Sequence, residues 1–267
     1  MNTKYIAIIG ILVIVIIVAG AYASGILTGG NDVKGNITVL AGAGTMNAVN
    51  ELKTTFEKQN PGTTINVQYG GSGELFAKLN SQKSADMVIP GDLSFMDNAK
   101  NKGYIINDTV KPIVYHIPVI AVQKGNPKNI TSVADLAKPG LKVALGDPNA
   151  TAVGKESATI LNKTNQTTAV KSNVVVYAPT VNQLVTYLTS GQVDAAIITE
   201  DLGNSTAAQG KIEIIQIPKD QNAIATIGAG ITTFTQNKDL ATKFENYITS
   251  SDGLSIWEKN GFKPVNQ

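Results

Sequence analysis

The chain has 267 residues, 43% of them apolar, enough for one large domain or two medium lobes with a sizeable core. Its formal charge is +2 and no basic stripe occurs, which excludes nucleic acid as the main partner. Cysteine and arginine are both absent, which excludes structural disulfides, thiol catalysis and a lipid-modified cysteine, and leaves lysine as the basic residue at all 22 positions.

In chain order, the first feature is an apolar run from Ile6 to Ala23, continued by Ile26-Leu27. Residues 1–27 read as a signal peptide, with Ala21-Tyr22-Ala23 as a small-x-small cleavage site, or as an uncleaved membrane anchor. Either way the remainder is expected outside the cytoplasm, secreted or tethered by a short polar segment, residues 28–35. Seven Asn-x-Ser/Thr sequons, at Asn36, Asn107, Asn129, Asn149, Asn162, Asn165 and Asn204, suit an exported chain but also follow from abundant Asn and Thr.

Strand and helix signals then alternate. Ile37–Ala41 predicts a strand that ends in Gly42-Ala43-Gly44-Thr45, and Val49, Leu52 and Phe56 mark one face of a helix over 47–59. Ile65–Tyr69 is a second strand, ending in Gly70-Gly71-Ser72-Gly73 before a helix with Leu75, Phe76 and Leu79 on its apolar side. A strand over 86–90 and a helix over 93–102 follow. Residues 113–123 form a long extended segment interrupted by Pro118. Ser132-x-x-Asp135 resembles a capping box for a short helix. A strand over 142–146 runs into the turn 146–154 and a helix near 155–162. Val174–Tyr177 is a strand, Thr180-x-x-Gln183 caps a helix that stops at Gly191, and Val193–Thr199 is another strand. Extended segments over 212–217 and 224–233 precede helices near 238–249 and 253–260. This alternation predicts an α/β fold with mostly parallel sheets, the segments 113–123 and 217–226 crossing between two lobes.

Catalytic motifs find little support. The first glycine turn lacks the third glycine of a dinucleotide fingerprint. The second superficially resembles a nucleophile elbow, but Glu74 stands where a glycine is needed. Gly154-Lys155-Glu156-Ser157 is not a phosphate-binding loop, because Glu156 separates the lysine from the hydroxyl. Asp86 and Asp92 read as a strand-end acid and a helix cap rather than as paired catalytic carboxylates. The single histidine, His116, leaves no histidine metal cluster and reads as a structural residue at a strand entry. An exported serine hydrolase would need Ser72 with His116 or a lysine as its base; an adhesion module would have no closing cleft.

What the strand-to-helix turns share is a set of free backbone N–H groups at a positive helix end, a ready-made anion site. Gly44-Thr45, Ser72-Gly73, Ala152-Val153-Gly154 and Thr180-Val181 all occupy such positions. Four such ends from two lobes could converge on one small dianion, whose desolvation costs tens of kcal/mol; each hydrogen bond to a charged acceptor returns about 1.5–3 kcal/mol, so roughly six to eight donors are needed. A donor-only site suits a fully deprotonated oxyanion such as molybdate, tungstate or sulfate, whereas hydrogen phosphate needs an acceptor as well.

In order and spacing the segments Leu40–Ala48, Tyr69–Leu75, Ala85–Asp92 with Phe95-Met96-Asp97, Gly146-Asp147-Pro148, Gly191–Ile197 and Trp257-x-x-x-Gly261-Phe262 resemble the solute-binding proteins of molybdate/tungstate ABC importers, a periplasmic-binding-protein-like type II family. The likeness covers most of residues 36–263. It implies two lobes, one from residues 36–116 and 223–267 and the other from 117–222, closing on the ligand. It implies a monomeric, non-enzymatic carrier without a cofactor, which captures molybdate or tungstate and hands it to an ABC permease, with the membrane reached through the N-terminal segment. Ligand contacts are implied for Gly44, Thr45, Ser72, Val153, Val181, Thr199 and Glu200. Two departures stand out: Gly44 replaces a common serine, leaving Thr45 as the nearest hydroxyl, and Thr199 replaces a usual tyrosine. Carboxylates enter an expanded, octahedral-like oxyanion shell in archaeal relatives, the role left for Glu200. Sulfate, phosphate or an organic anion is the alternative cargo.

Overall fold

The computed structural model describes residues 33–203 and 205–265. The apolar N-terminal run and most of the polar tether lie outside the described residues. No helix among those described is long and apolar enough to cross a membrane.

The first sheet is built from β1 (Gly35–Gly42), β2 (Thr63–Gly70), β3 (Met87–Ile89), β4 (Lys111–His116), β10 (Ala225–Ile231) and β11 (Lys263–Pro264), in the order β11-β4-β10-β3-β1-β2. The second holds β5 (Pro118–Gln123), β6 (Val143–Gly146), β7 (Val174–Ala178), β8 (Ala195–Thr199) and β9 (Ile212–Gln216), in the order β7-β6-β8-β5-β9. Each has a parallel core, β2-β1-β3 in one and β7-β6-β8 in the other. Antiparallel strands complete both: β10 against β3 and β4, and β5 against β8 and β9.

The parallel strands connect through helices. These are α1 (Met46–Gln59) after a short 3-10 turn at Ala43–Thr45, α2 (Ser72–Gln82), α3 (Ser94–Asn101), α4 (Ala152–Lys163), α5 (Thr167–Lys171), α6 (Val181–Thr189), α7 (Glu200–Gly203), α8 (Lys238–Ile248) and α9 (Ser251–Lys259). Strand β1 is paired on both edges, between β3 and β2, and its Ile37, Val39, Leu40 and Ala41 are apolar on both faces, as a strand covered by helices on both sides requires. The second sheet packs on its own apolar cluster, with Val119 to Val122, Ile197 and Ile198 buried between Ile160, Leu184 and Leu188.

The extended segment expected over 113–123 divides into β4 and β5, which belong to different sheets. Ile117 is the residue between them, and its carbonyl accepts the Glu200 N–H at 2.9 Å. The return crossing runs from β9 to β10, where Asn222 Nδ2 donates to the Pro118 carbonyl at 2.9 Å and ties the two crossings together. Asp135 does not open an α-helix: its carboxylate accepts the Thr131 and Ser132 N–H groups ahead of a 3-10 turn, Ala134–Ala137. Asp86 is structural, accepting from Thr38 N, Thr235 Oγ1 and Gln236 N. Asp92 accepts the Ser94 N–H at 2.8 Å, an Asx turn leading into α3.

Candidate functional site

Between the two sheets lies a cavity of about 30 Å3, lined on one side by Gly42–Thr45, Gly70–Ser72, Gly91, Ile227 and Phe262 and on the other by Thr151–Val153, Thr180, Val181 and Asp201, with His116 at the crossing. One water needs roughly 10–15 Å3 on this scale, so the space suits a solute of a few heavy atoms. No lysine is among its lining residues.

The lining is made of helix starts. The 3-10 turn before α1, α2, α4 and α6 all begin at the cavity, each following a strand, α4 after the longer turn that leaves β6 at Gly146. The first N–H groups of a helix have no partner within it, and the helix dipole makes that end positive. Thr151 and Thr180 cap α4 and α6 by accepting from Gly154 N at 3.0 Å and Gln183 N at 3.4 Å. Each cap therefore satisfies the third N–H of its helix and leaves the two before it for another acceptor.

The two hydroxyls in the first two turns have different uses. Thr45 Oγ1 donates its proton to the Gly42 carbonyl at 2.8 Å, so this hydroxyl braces its own turn. Ser72 Oγ accepts the Gly91 N–H at 3.1 Å and is buried. A hydroxyl that already accepts one N–H keeps its own proton to donate, which makes Ser72 a neutral side-chain donor of the lining, as the same count does for Thr180.

Glycine is required where the two sides meet. A Cβ on Gly71 would sit 2.5 Å from the Ala150 carbonyl oxygen and 2.8 Å from that of Pro179. Next to it, Gly73 N–H donates to the Ala150 carbonyl at 3.0 Å, a backbone bond from the first side of the cavity to the second. Asn182 Nδ2 to the Ala43 carbonyl at 3.1 Å, and Lys155 Nζ to Ser94 Oγ at 2.6 Å, span the same gap.

His116, at the end of β4, turns Nδ1 to both carboxylate oxygens of Glu156 on α4, at 2.6 and 2.8 Å. Both side chains are buried. Burial works against charge on the imidazole, but the Glu156 carboxylate, with Asp201 and Asp92 beyond it, outweighs burial and holds its pKa above the ordinary value. Burial raises Glu156 in turn, against the pull of His116. Asp201 is pushed up to about 6 by burial, against the opposing charge of His116 and the nearby Thr199 hydroxyl.

Of the residues expected to contact a ligand, the structure brings Gly44, Thr45, Ser72, Val153 and Val181 to one cavity. Thr199 and Glu200 do not line it. Thr199 is the fully buried last residue of β8, and its Oγ1 has no well-aligned hydrogen bond. Glu200 points to the sheet junction instead: Lys263 Nζ donates to its Oε2 at 2.7 Å and Gln216 Nε2 to its Oε1 at 3.1 Å. Asp201, one residue further on, takes the place by the cavity because α7 turns successive side chains through about 100°. His116, Gly91, Asp201 and Phe262 were missed as lining residues. The sequence offered one signal, acidic residues set among apolar ones at Glu156 and Glu200-Asp201, and none for the partner of His116.

Two α/β sheets with two crossings and a small solute cavity between them define a solute-binding protein of the type II periplasmic class. The chain belongs to the bacterial extracellular solute-binding protein family, whose model matches residues 37–263. Among curated proteins it is 29% identical to a putative binding protein of Haemophilus influenzae over 247 residues, covering 92% of this chain and 98% of that one. It is 26% identical to the molybdate-binding protein ModA of Mycobacterium tuberculosis over 257 residues, covering 94% and 95%. Among solved structures, the sulfate-binding protein SubI of M. tuberculosis shares the fold with a TM-score of 0.78 at 20% identity, covering 86% of this chain and 87% of that one. The chain is thus an extracytoplasmic solute-binding protein of an ABC importer, a carrier that delivers its solute to a permease and not an enzyme.

Proposed function

We propose that this carrier captures a tetrahedral oxyanion, molybdate or tungstate, by lobe closure around the cavity, and that Gly44, Thr45, Ser72, Val153 and Val181 contact it. The first lobe carries one sheet (36–116 and 223–267) and the second the other (117–222). The observation that supports the reading most is the meeting of four helix starts at a cavity with no lysine in its lining. Such a site solvates a dianion with fixed, neutral donors rather than with mobile charge. The kinship with ModA supports molybdate as the cargo. The Asp201 carboxylate in the lining favours a second reading, an anion such as hydrogen phosphate that brings a proton for that carboxylate to accept.

Thermal melts of the full chain with molybdate, tungstate, sulfate and phosphate test the choice. Bound ligand stabilises by RT ln(1 + [L]/Kd). A concentration-dependent rise with molybdate or tungstate, and none with phosphate, is the expected result. A rise with phosphate alone moves the assignment to the second reading, and no rise with any oxyanion refutes both. In the cell the proposed carrier is monomeric and held at the membrane through residues 1–27 or released by their cleavage.

A further inference from the structure

The chain contains one histidine, and the fold places it at the crossing of the two sheets with its ring against the cavity. Nδ1 is fully used by Glu156. The opposite ring nitrogen, Nε2, lies near Gly91: a methyl built on that glycine would come within 3.8 Å of Nε2 and 3.5 Å of Ser72 Oγ. Glycine at this position therefore leaves unfilled a point that lies within 4 Å of both Nε2 and the Ser72 hydroxyl.

The protons of the pair decide what Nε2 offers a ligand. With one proton on the pair, it sits on Nδ1 facing the carboxylate, and Nε2 presents a bare lone pair. With two, Nε2 carries hydrogen, whether the shared proton rests on Nδ1 or on Glu156. The first form repels an anion and the second donates to it. The buried pair titrates as a unit, and both partners' shifts favour the two-proton form, which is also electrically neutral.

We propose that His116 is a ligand-contacting residue, with Nε2–H donating to the bound oxyanion beside Ser72 and Glu156 positioning the ring, so that dianion binding is coupled to proton uptake at every pH where the free pair has lost its second proton. This rests on the oxyanion reading above. The charged groups packed around the ring agree with it. Glu156 comes from α4 and Asp201 from α7, while Asp92 from the loop after β3 acts from further off, so the surroundings are acidic. Lys155 lies toward solvent on Asp92, 3.9 Å away, and Lys263 is paired with Glu200, so neither puts its charge in the lining. Protons bound with the ligand relieve the repulsion between an acidic cluster and a dianion. His116–Glu156 and Asp201 are the places for them.

Because the histidine is unique, its ring can be read in the wild-type chain without assignment by mutation. The experiment is a pair of long-range 1H–15N spectra of the full chain with 15N-labelled histidine, with and without saturating molybdate, over about pH 6 to 9. Calorimetric titration in buffers of different ionisation heat accompanies it. The expected result is a change in the Nε2 shift on binding, protonation of Nε2 persisting to higher pH, and net proton uptake, with affinity falling up to about tenfold per pH unit for each proton taken up. His116→Gln, which retains an N–H donor but does not titrate, is expected to flatten that pH dependence. Glu156→Gln is expected to move the ring's titration. Saturation by molybdate with an unchanged Nε2 and no proton uptake overturns this inference alone. Failure of every oxyanion to bind overturns the oxyanion reading with it.

Discussion

Gly71→Ala isolates lobe closure from folding. Gly71 has φ −67° and ψ 148°, a conformation open to every residue, so alanine introduces no backbone strain. The new Cβ would nonetheless stand 2.5 Å from the Ala150 oxygen and 2.8 Å from the Pro179 oxygen. Both are backbone atoms of the opposite side, and the Ala150 carbonyl is tied across the gap by the Gly73 N–H. Relief requires the two sides to separate. Overpacking of this kind costs about 1–3 kcal/mol, and the cost falls on the closed form alone. At about 1.4 kcal/mol per decade it weakens binding roughly 5- to 150-fold. Calorimetry measures the affinity, and Trp257 supplies an optical signal. It is the one tryptophan of the chain, buried, and packs edge-to-face on Phe262 with centroids 5.2 Å apart. Phe262 in turn lines the cavity. The ligand-free melting temperature should be unchanged. An affinity within twofold of wild type, or a ligand-free protein destabilised as much as binding is weakened, would refute closure across this contact.

Ser72→Ala removes a donor to a charged acceptor, worth about 1.5–3 kcal/mol, and should weaken oxyanion binding at least tenfold by calorimetry; unchanged affinity removes Ser72 from the site. Glu200→Gln should leave affinity within about fivefold, because its partner Lys263 is largely exposed and such pairs contribute about 0–1 kcal/mol; a larger loss would put Glu200 on the ligand. Asp201 has a folded pKa of about 6 against an ordinary 3.8. The folded state therefore holds the extra proton between those values, and stability falls as pH rises through that window, by up to about 3 kcal/mol. Asp201→Asn should flatten this fall and raise the melting temperature of the ligand-free protein at neutral pH. An unaltered pH–stability profile would show that the carboxyl is not buried in solution.

Much of the binding apparatus was legible in the sequence because it is local. Gly42-Ala43-Gly44-Thr45 and Gly70-Gly71-Ser72-Gly73 each turn a strand into a helix within a few residues, and Thr180-x-x-Gln183 announces its cap with the spacing that the structure shows. Backbone conformation at such turns depends on neighbours in the chain, so glycine and hydroxyl residues at fixed offsets reveal it. The second acidic residue of Glu200-Asp201 could not be told from the first in this way. Which of them approaches the cavity depends on where α7 starts, and that is set by the Glu200–Ile117 backbone bond and the pull of Lys263. The role of His116 was likewise hidden. Its partner Glu156 is forty positions away on a different sheet's helix, and no spacing rule joins them. The sequence by itself determined the turns, the helix starts and the family. Only the tertiary structure decided that four of those starts share one cavity, and that a buried histidine–glutamate pair stands at the point where the chain passes from one sheet to the other, because convergence depends on long-range strand pairing rather than on local conformation.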